Sequence, residues 1–189
     1  MISFMVCNMR GLGAREKSAF ILNGSHRLQV FLASIIETKQ SVDRIMSFTK
    51  RMGFSNAMHA SPCNRHIWVI WKKDVQVVMI EASSQHIKTK VYVGDSEFYV
   101  SFVYESCDSS GRKELWQSMS SFCAGNLAWF VVGGFNTIAD IREKKGDIEY
   151  PNCGMQDFIS FMNSNSLLDM GFQGNRFTWC NNRNGSRCI

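Results

Sequence analysis

The sequence predicts an α/β fold built on two packed sheets, and three observations carry that prediction. Apolar runs rich in β-branched and aromatic residues recur at strand length, and those between 75 and 103 follow one another across short polar turns, as in a meander. Between other such runs, apolar residues recur at helical spacing, at Val42, Ile45, Met46 and Met52 and again at Met155, Phe158, Ile159 and Met162. Hydrophobic residues make up 45% of a 189-residue chain, which suits one domain with a real core and excludes a disordered polar chain. Helices interspersed with many strands around two sheets satisfy all three.

In chain order, the run 2–7 reads as a short buried strand, after which Asn8, Arg10, Gly11 and Gly13 lie in a turn. A helix is expected over 14–30, kinked or broken at Asn23, Gly24 and Ser25. A strand over 31–36 carries the chain back and stops at Glu37. That residue directly follows Ile35 and Ile36, where a carboxylate is seldom left without a partner; taken alone it reads as a surface glutamate. A helix over 40–52 is closed by Gly53, and strands over 54–59 and 67–71 flank a turn at 61–64. His59 and His66, on either side of that turn, read as turn and strand-edge histidines rather than as a metal pair.

Strands follow over 75–80, 84–93 and 97–103, with Gly94 and Asp95 turning the last two. Ser109 and Ser110 are placed to cap a helix whose Leu115, Met119, Phe122 and Cys123 share a face and which Gly125 and Asn126 end. The run 128–133 is apolar without alternation, which predicts a strand buried on both faces and ending at Gly133; the rest of the chain is expected to be organised around it. A polar loop, a helix through 155–162 and a final strand over 176–180 complete the reading.

The formal net charge of +5 arises from 21 basic and 16 acidic residues spread along the chain, so nucleic-acid contact is permitted without being required. The adjacent lysines at 72–73 and 144–145 read as solvated turns. Seven cysteines form no Cys-x-x-Cys pair and no finger-like cluster with histidine, which favours reduced thiols over disulfides or zinc. The apolar stretch before Arg10 is too short for a signal segment and no run reaches membrane-spanning length. The expectation is an intracellular protein, nuclear or cytoplasmic, neither secreted nor membrane-inserted.

Residues 129–136, with Trp129, Gly133, Gly134, Phe135 and Asn136, resemble the Trp-x-x-x-Gly-Asp-Phe-Asn strand of the endonuclease/exonuclease/phosphatase family, in particular the endonuclease domains of plant LINE-type retrotransposons. Asn8, Arg10, Gly11 and Leu12 match that group's Trp-Asn-x-Arg-Gly-Leu opening, with Cys7 in place of the tryptophan. Glu37, Thr38 and Lys39 match its Glu-Thr-Lys, Val103 and Tyr104 its Val-Tyr, and Glu143, Lys144 and Gly146 its Glu-Lys-x-Gly. Leu115 with Trp116, Asp169, and the trio Phe177, Thr178 and Trp179 also match, while Asn64, Arg65 and His66 stand where the family prefers small glycines.

The resemblance implies a four-layer α/β/β/α sandwich in which Glu37 ligates Mg²⁺ or Mn²⁺. Asn8, Tyr104 and Asn136 form the remnant catalytic set, and Arg10 and Thr178 lie toward a DNA substrate. On the residues alone Tyr104 reads equally as a buried tyrosine with an ordinary partner. Gly134 replaces the family's metal-linked, water-activating aspartate. The family's distal Arg-Leu-Asp-Arg and Ser-Asp-His segments do not occur in the sequence, so the domain over 1–189 is expected to be incomplete at its C-terminus. It should lack the last strand pair and self-associate through an exposed sheet edge. The function implied is a degenerate Mg²⁺-dependent DNA endonuclease or phosphodiesterase domain of retrotransposon origin, inactive as it stands. The alternatives are a non-catalytic module binding nucleic acid or protein, and a gene fragment without selected function.

Overall fold

The computed structural model describes residues 3–11, 15–60, 64–105, 109–145, 152–175 and 177. The elements run β1 (Phe4–Asn8), α1 (Arg15–Arg27), β2 (Leu32–Ile36), α2 (Ile45–Arg51), β3 (Asn56–Ala60) and β4 (Asn64–Trp71). They continue with β5 (Val75–Ala82), β6 (His86–Val93), β7 (Ser96–Tyr104), α3 (Ser109–Ser120), β8 (Trp129–Gly134) and α4 (Asn152–Ser164). Two compact units result, Met1–Glu105 with Ala124–Gly134, and Ser106–Cys123 with Phe135–Ile189.

The first unit contains two four-stranded sheets, ordered β1-β2-β4-β3 and β5-β6-β7-β8. Alternation along the central strands of the first sheet explains why they read as unbroken apolar runs. Leu32, Ile36, Ile67 and Val69 enter the core shared with Ile87, Val91, Phe98, Val100 and Phe102 of the second sheet. The residues between them, Ala33, Ile35, Trp68 and Ile70, pack on the other face with Ile21 of α1 and Phe48 of α2. Both faces of β2 and β4 are therefore dry, and every residue of β2 is buried.

The two-sided burial expected of 128–133 belongs to β2 and β4 instead. All six residues of β8 are half-buried, because it is the outermost strand of its sheet among the described residues and has a ladder partner on one side only. It also runs one residue past the expected end, pairing Gly134 with Tyr104. Gly133 shows why glycine is required inside it: at φ 152°, a Cβ there would lie 2.0 Å from the Val103 carbonyl oxygen, a backbone atom that cannot step aside.

Other expectations need correction. Helix α1 runs unbroken through Asn23, Gly24 and Ser25. Ser25 Oγ donates to the Leu22 carbonyl, and Gly24 brings the helix close to Met5 of β1, whose Sδ would be 3.7 Å from an added Cβ. Helix α3 starts at Ser109 itself and stops at Ser120, so Phe122 and Cys123 lie beyond it and Cys123 is exposed. Beyond α4, where no element was expected, the segment 167–172 is irregular and exposes Leu168, Met170 and Phe172. The final strand expected over 176–180 lies, apart from Phe177, outside the described residues. No helix among the described residues is long and apolar enough to cross a membrane.

The second unit has an aromatic centre. Trp116 of α3 stacks on Phe161 of α4 at 4.7 Å between centroids, and Phe158 lies 5.2 Å from both Trp116 and Phe135. Its loop is held by Glu143, whose carboxylate accepts from the Ala139 N–H, and by Asp140, which pairs with Arg142.

The outer face of the second sheet buries a polar group of side chains. Lys88 is sequestered with its ammonium 2.7 Å from Glu81, and the neighbouring His86 is fully buried. Ser83 Oγ already accepts from the backbone N–H groups of Gln85 and His86, so its hydroxyl donates to His86 Nδ1 at 2.8 Å, which leaves the imidazole proton on Nε2. Desolvation by burial, the dominant cause, and the Lys88 charge lower the His86 pKa below its ordinary 6.5, against the opposing pull of Glu81.

Two outcomes follow from this packing. Gly133→Ala should cost about 3 kcal/mol or more, read as a lowered urea midpoint or loss of folding, because it combines an unfavourable φ with a backbone clash. The unfolded chain takes up a proton at His86 before the folded one does, so stability is full above the ordinary histidine pKa and falls as pH drops through about 6.5. Urea titrations at successive pH values should show that slope, and His86→Gln should flatten it.

Candidate functional site

Four strand ends meet in the first unit. Strand β1 runs parallel to β2 with Asn8 opposite Ile36, and β8 runs parallel to β7 with Gly134 opposite Tyr104. Phe4 near the start of β1 meets Phe130 near the start of β8 edge to face at 5.4 Å between centroids, and Gly134 at the end of β8 lies by Ile36, the ladder partner of Asn8 at the end of β1, so the two strands advance in the same direction. At the carboxyl ends, a Cβ at Gly134 would stand 3.2 Å from Ile36 Cδ1 and 3.9 Å from Tyr104 Cδ2. Asn8, Glu37, Tyr104 and Gly134 therefore share one end of the sandwich of sheets.

Asn8 Nδ2 donates to Glu37 Oε1 at 2.7 Å, and Asn8 Oδ1 accepts the Arg10 N–H at 3.1 Å. One amide thus holds the carboxylate and the turn after β1 at once. The turns themselves are tied by Met9 N–H to the Ile36 carbonyl at 2.9 Å and by Gly11 N–H to the Glu37 carbonyl at 2.7 Å. Arg10, Glu37 and Lys39 all adopt positive φ, at 43°, 54° and 50°. Each such residue costs on the order of 1–3 kcal/mol unless its surroundings impose it, and a cluster of them at strand ends is a mark of function. Arg10 is exposed and Glu37 half-buried.

The sequence-predicted residues distribute as follows. Asn8 and Glu37 are in direct contact, and Tyr104 sits on the rung beside Gly134 with its ring half-buried against the core between the sheets. Asn136 belongs to the second unit, exposed and at φ 32°, two residues after Gly134 in the chain. Thr178 lies outside the described residues. A further residue joins the group, one that the sequence placed at a strand edge without a functional role. The register Ile36↔Ile67 places His66 one step beyond the ladder, opposite Glu37, and its ring lies 5.7 Å from that of Tyr104, tilted by 49°. The available signal was the substitution of His66 for a small residue just before an apolar strand; nothing in the spacing said which side chain it would meet.

For a hard divalent cation the fit is partial. Glu37 offers a carboxylate already oriented by Asn8, and Mg²⁺ is commonly held by one or two carboxylates together with substrate phosphates. Among the described residues, however, no group of three or more His, Cys, Asp and Glu side chains gathers around a common point. Gly134 adds no donor. A carboxylate at 134 would project toward Ile36, the residue before Glu37.

No family model matches the chain, and no curated protein sequence matches it either. Solved structures do. The endonuclease domain of TRAS1, a telomere-specific non-LTR retrotransposon, aligns over 84% of this chain and 69% of its own with a TM-score of 0.59 at 11% identity. A β-hairpin deletion mutant of the Staphylococcus aureus β toxin aligns over 95% of this chain and 78% of its own, with a TM-score of 0.61 at 13% identity. D. rerio TDP2 complexed with a single-strand DNA product aligns over 74% and 62%, with a TM-score of 0.53 at 12% identity.

The chain has an endonuclease/exonuclease/phosphatase-like α/β fold. A retrotransposon endonuclease, a toxin and a DNA-bound protein share it, so the fold alone does not select a reaction.

The two neighbouring glycines of β8 separate in their tolerance. Gly134 lacks the positive φ of Gly133, and the only close atom is the end of a flexible isoleucine. Gly134→Asp should fold, losing no more than about 1–3 kcal/mol as Ile36 shifts. Calorimetric titration should then find Mn²⁺ bound more tightly than by the parent chain, because a second carboxylate joins Glu37. An unchanged affinity in a folded variant would mean that the two positions do not converge on one ion.

Proposed function

We propose that this chain is a degenerate Mg²⁺-dependent DNA endonuclease or phosphodiesterase-like domain of retrotransposon origin, of the plant LINE type, inactive as it stands. What carries the reading is the Asn8–Glu37 hydrogen bond at the mouth of this fold, beside a strand whose expected aspartate is Gly134. The four-layer α/β/β/α arrangement is part of the same proposal, as are an intracellular location, nuclear or cytoplasmic, and self-association through a sheet edge.

In this reading Glu37, with Asn8 holding it, is the carboxylate that would bind Mg²⁺ or Mn²⁺. Such an ion supplies charge stabilisation to a phosphoryl group. The protein's own residues divide the remaining work. Asn8 fixes the carboxylate and offers its amide to a phosphate oxygen, Tyr104 presents a hydroxyl donor, and Arg10 contributes positive charge at the rim. The resemblance assigns Asn136 to the same catalytic set and Thr178 to contact with DNA.

Orienting and deprotonating water is the step whose expected residue, the family's aspartate, is replaced. Glycine at 134 can neither accept a proton nor hold a water molecule in line with the scissile bond. The retained donors therefore favour binding over turnover, and this is the specific ground for the second reading, a non-catalytic nucleic-acid-binding module.

The test is a plasmid-nicking assay in Mg²⁺ and in Mn²⁺, run beside fluorescence anisotropy with a labelled oligodeoxynucleotide. Removing one preorganised group from a hydrolytic site costs about 10²–10³ in rate, so cleavage should not exceed that of Glu37→Ala, while salt-sensitive binding persists. Turnover in the parent chain that disappears in Glu37→Ala would overturn the inactivity. Absence of any oligonucleotide binding would overturn the retained nucleic-acid role.

A further inference from the structure

The entrance of β4 brings a histidine to the end of the sheets where Glu37 and Tyr104 lie. Ile67 to Ile70 are fully buried, yet His66, one residue earlier, is exposed. Because β4 is antiparallel to β2 with Ile67 opposite Ile36, His66 enters the sheet where Glu37 leaves it. Its ring stands 5.7 Å from that of Tyr104, which occupies the rung of Gly134. Three independent ladders, β2 with β4, β7 with β8 and β1 with β2, thus place an imidazole, a phenol and an amide around one opening.

The charge balance at that opening bears on what it accepts. With glycine at 134 the end of β8 contributes no carboxylate, and Glu37 is already engaged by the Asn8 amide. The turns after β1 and β2 carry Arg10 and Lys39, both exposed. An opening with N–H and O–H donors, flanking cations and one engaged carboxylate suits an anion with several oxygen acceptors.

Resting on the nucleic-acid reading above, we propose that His66 is a substrate-contacting residue which, together with Tyr104, donates a hydrogen bond to a non-bridging phosphate oxygen of a nucleic acid. The tilted contact with the Tyr104 ring holds the imidazole at the rim, and the exposed position leaves it able to reach a ligand arriving from solvent. No bond is made or broken in this role. Contact through His66 does not pass through a cation, so it persists when divalent ions are removed.

The experiment measures binding of a short fluorescein-labelled oligothymidylate by anisotropy in EDTA, for the parent chain, His66→Ala, His66→Gln, Tyr104→Phe and Glu37→Ala. A charge-assisted or well-aligned phosphate contact corresponds to roughly tenfold in Kd. His66→Ala should weaken binding by about that factor and His66→Gln, which keeps a donor, by distinctly less. Tyr104→Phe should weaken it in a manner non-additive with His66→Ala, since the two act on one phosphate. Thermal unfolding of both His66 variants should match the parent, which separates a lost contact from a lost fold. Oligothymidylate binding unchanged in His66→Ala, with the parent chain binding normally, overturns this inference and leaves the nucleic-acid reading intact. Failure of the parent chain itself to bind overturns both.

Discussion

Two parallel strand pairs set the position of everything at the candidate site. A parallel pair sends both carboxyl ends to the same side, whereas the antiparallel meander β5-β6-β7 sends alternate ends to opposite sides. Joining β1 to β2 in one sheet and β8 to β7 in the other yields four carboxyl ends, and the Phe4–Phe130 contact aligns the two sets across the core. The amide, carboxylate and phenol that result come from segments far apart in the chain. Their proximity depends on the ladders more than on any local loop.

The same construction explains where conformational strain accumulates. The backbone turns sharply where β1 and β2 leave the sheet, and residues with ordinary side chains take up positive φ at Arg10, Glu37 and Lys39. Two interloop hydrogen bonds, from Met9 to Ile36 and from Gly11 to Glu37, fasten these turns to each other. Beneath them β2 is buried on both faces, so the supporting layer resists adjustment. A rigid floor with strained edges keeps a polar group oriented in the absence of ligand.

Much of this was legible in the sequence, for a physical reason. Strand length and apolar runs located β1 to β8 to within a few residues, since strand propensity and burial act locally. Burial by itself was misassigned: an apolar run without alternation describes β2 and β4 well, but the similar run of β8 lies at an outer position, and only pairing order distinguishes the two. The continuity of α1 through Gly24 was likewise invisible, because the helix is held by the burial of Ile21 in the core, which outweighs the local cost of a glycine. Asn8 and Glu37 were named from their motifs, yet their contact depends on the register Asn8↔Ile36. His66 depends on two registers and a ring contact, none of which leaves a trace in spacing.

Gly133 and Gly134 are adjacent, and the backbone treats them oppositely: one is walled in by the Val103 carbonyl, while the other has an ordinary conformation and a soft neighbour. If the proposed descent from an endonuclease is correct, the lesion lies at the position that was free to vary, and the strand kept its geometry. At the level of this residue, the backbone is one that an aspartate also adopts, so a carboxylate can be absent or present there while the strand keeps its path.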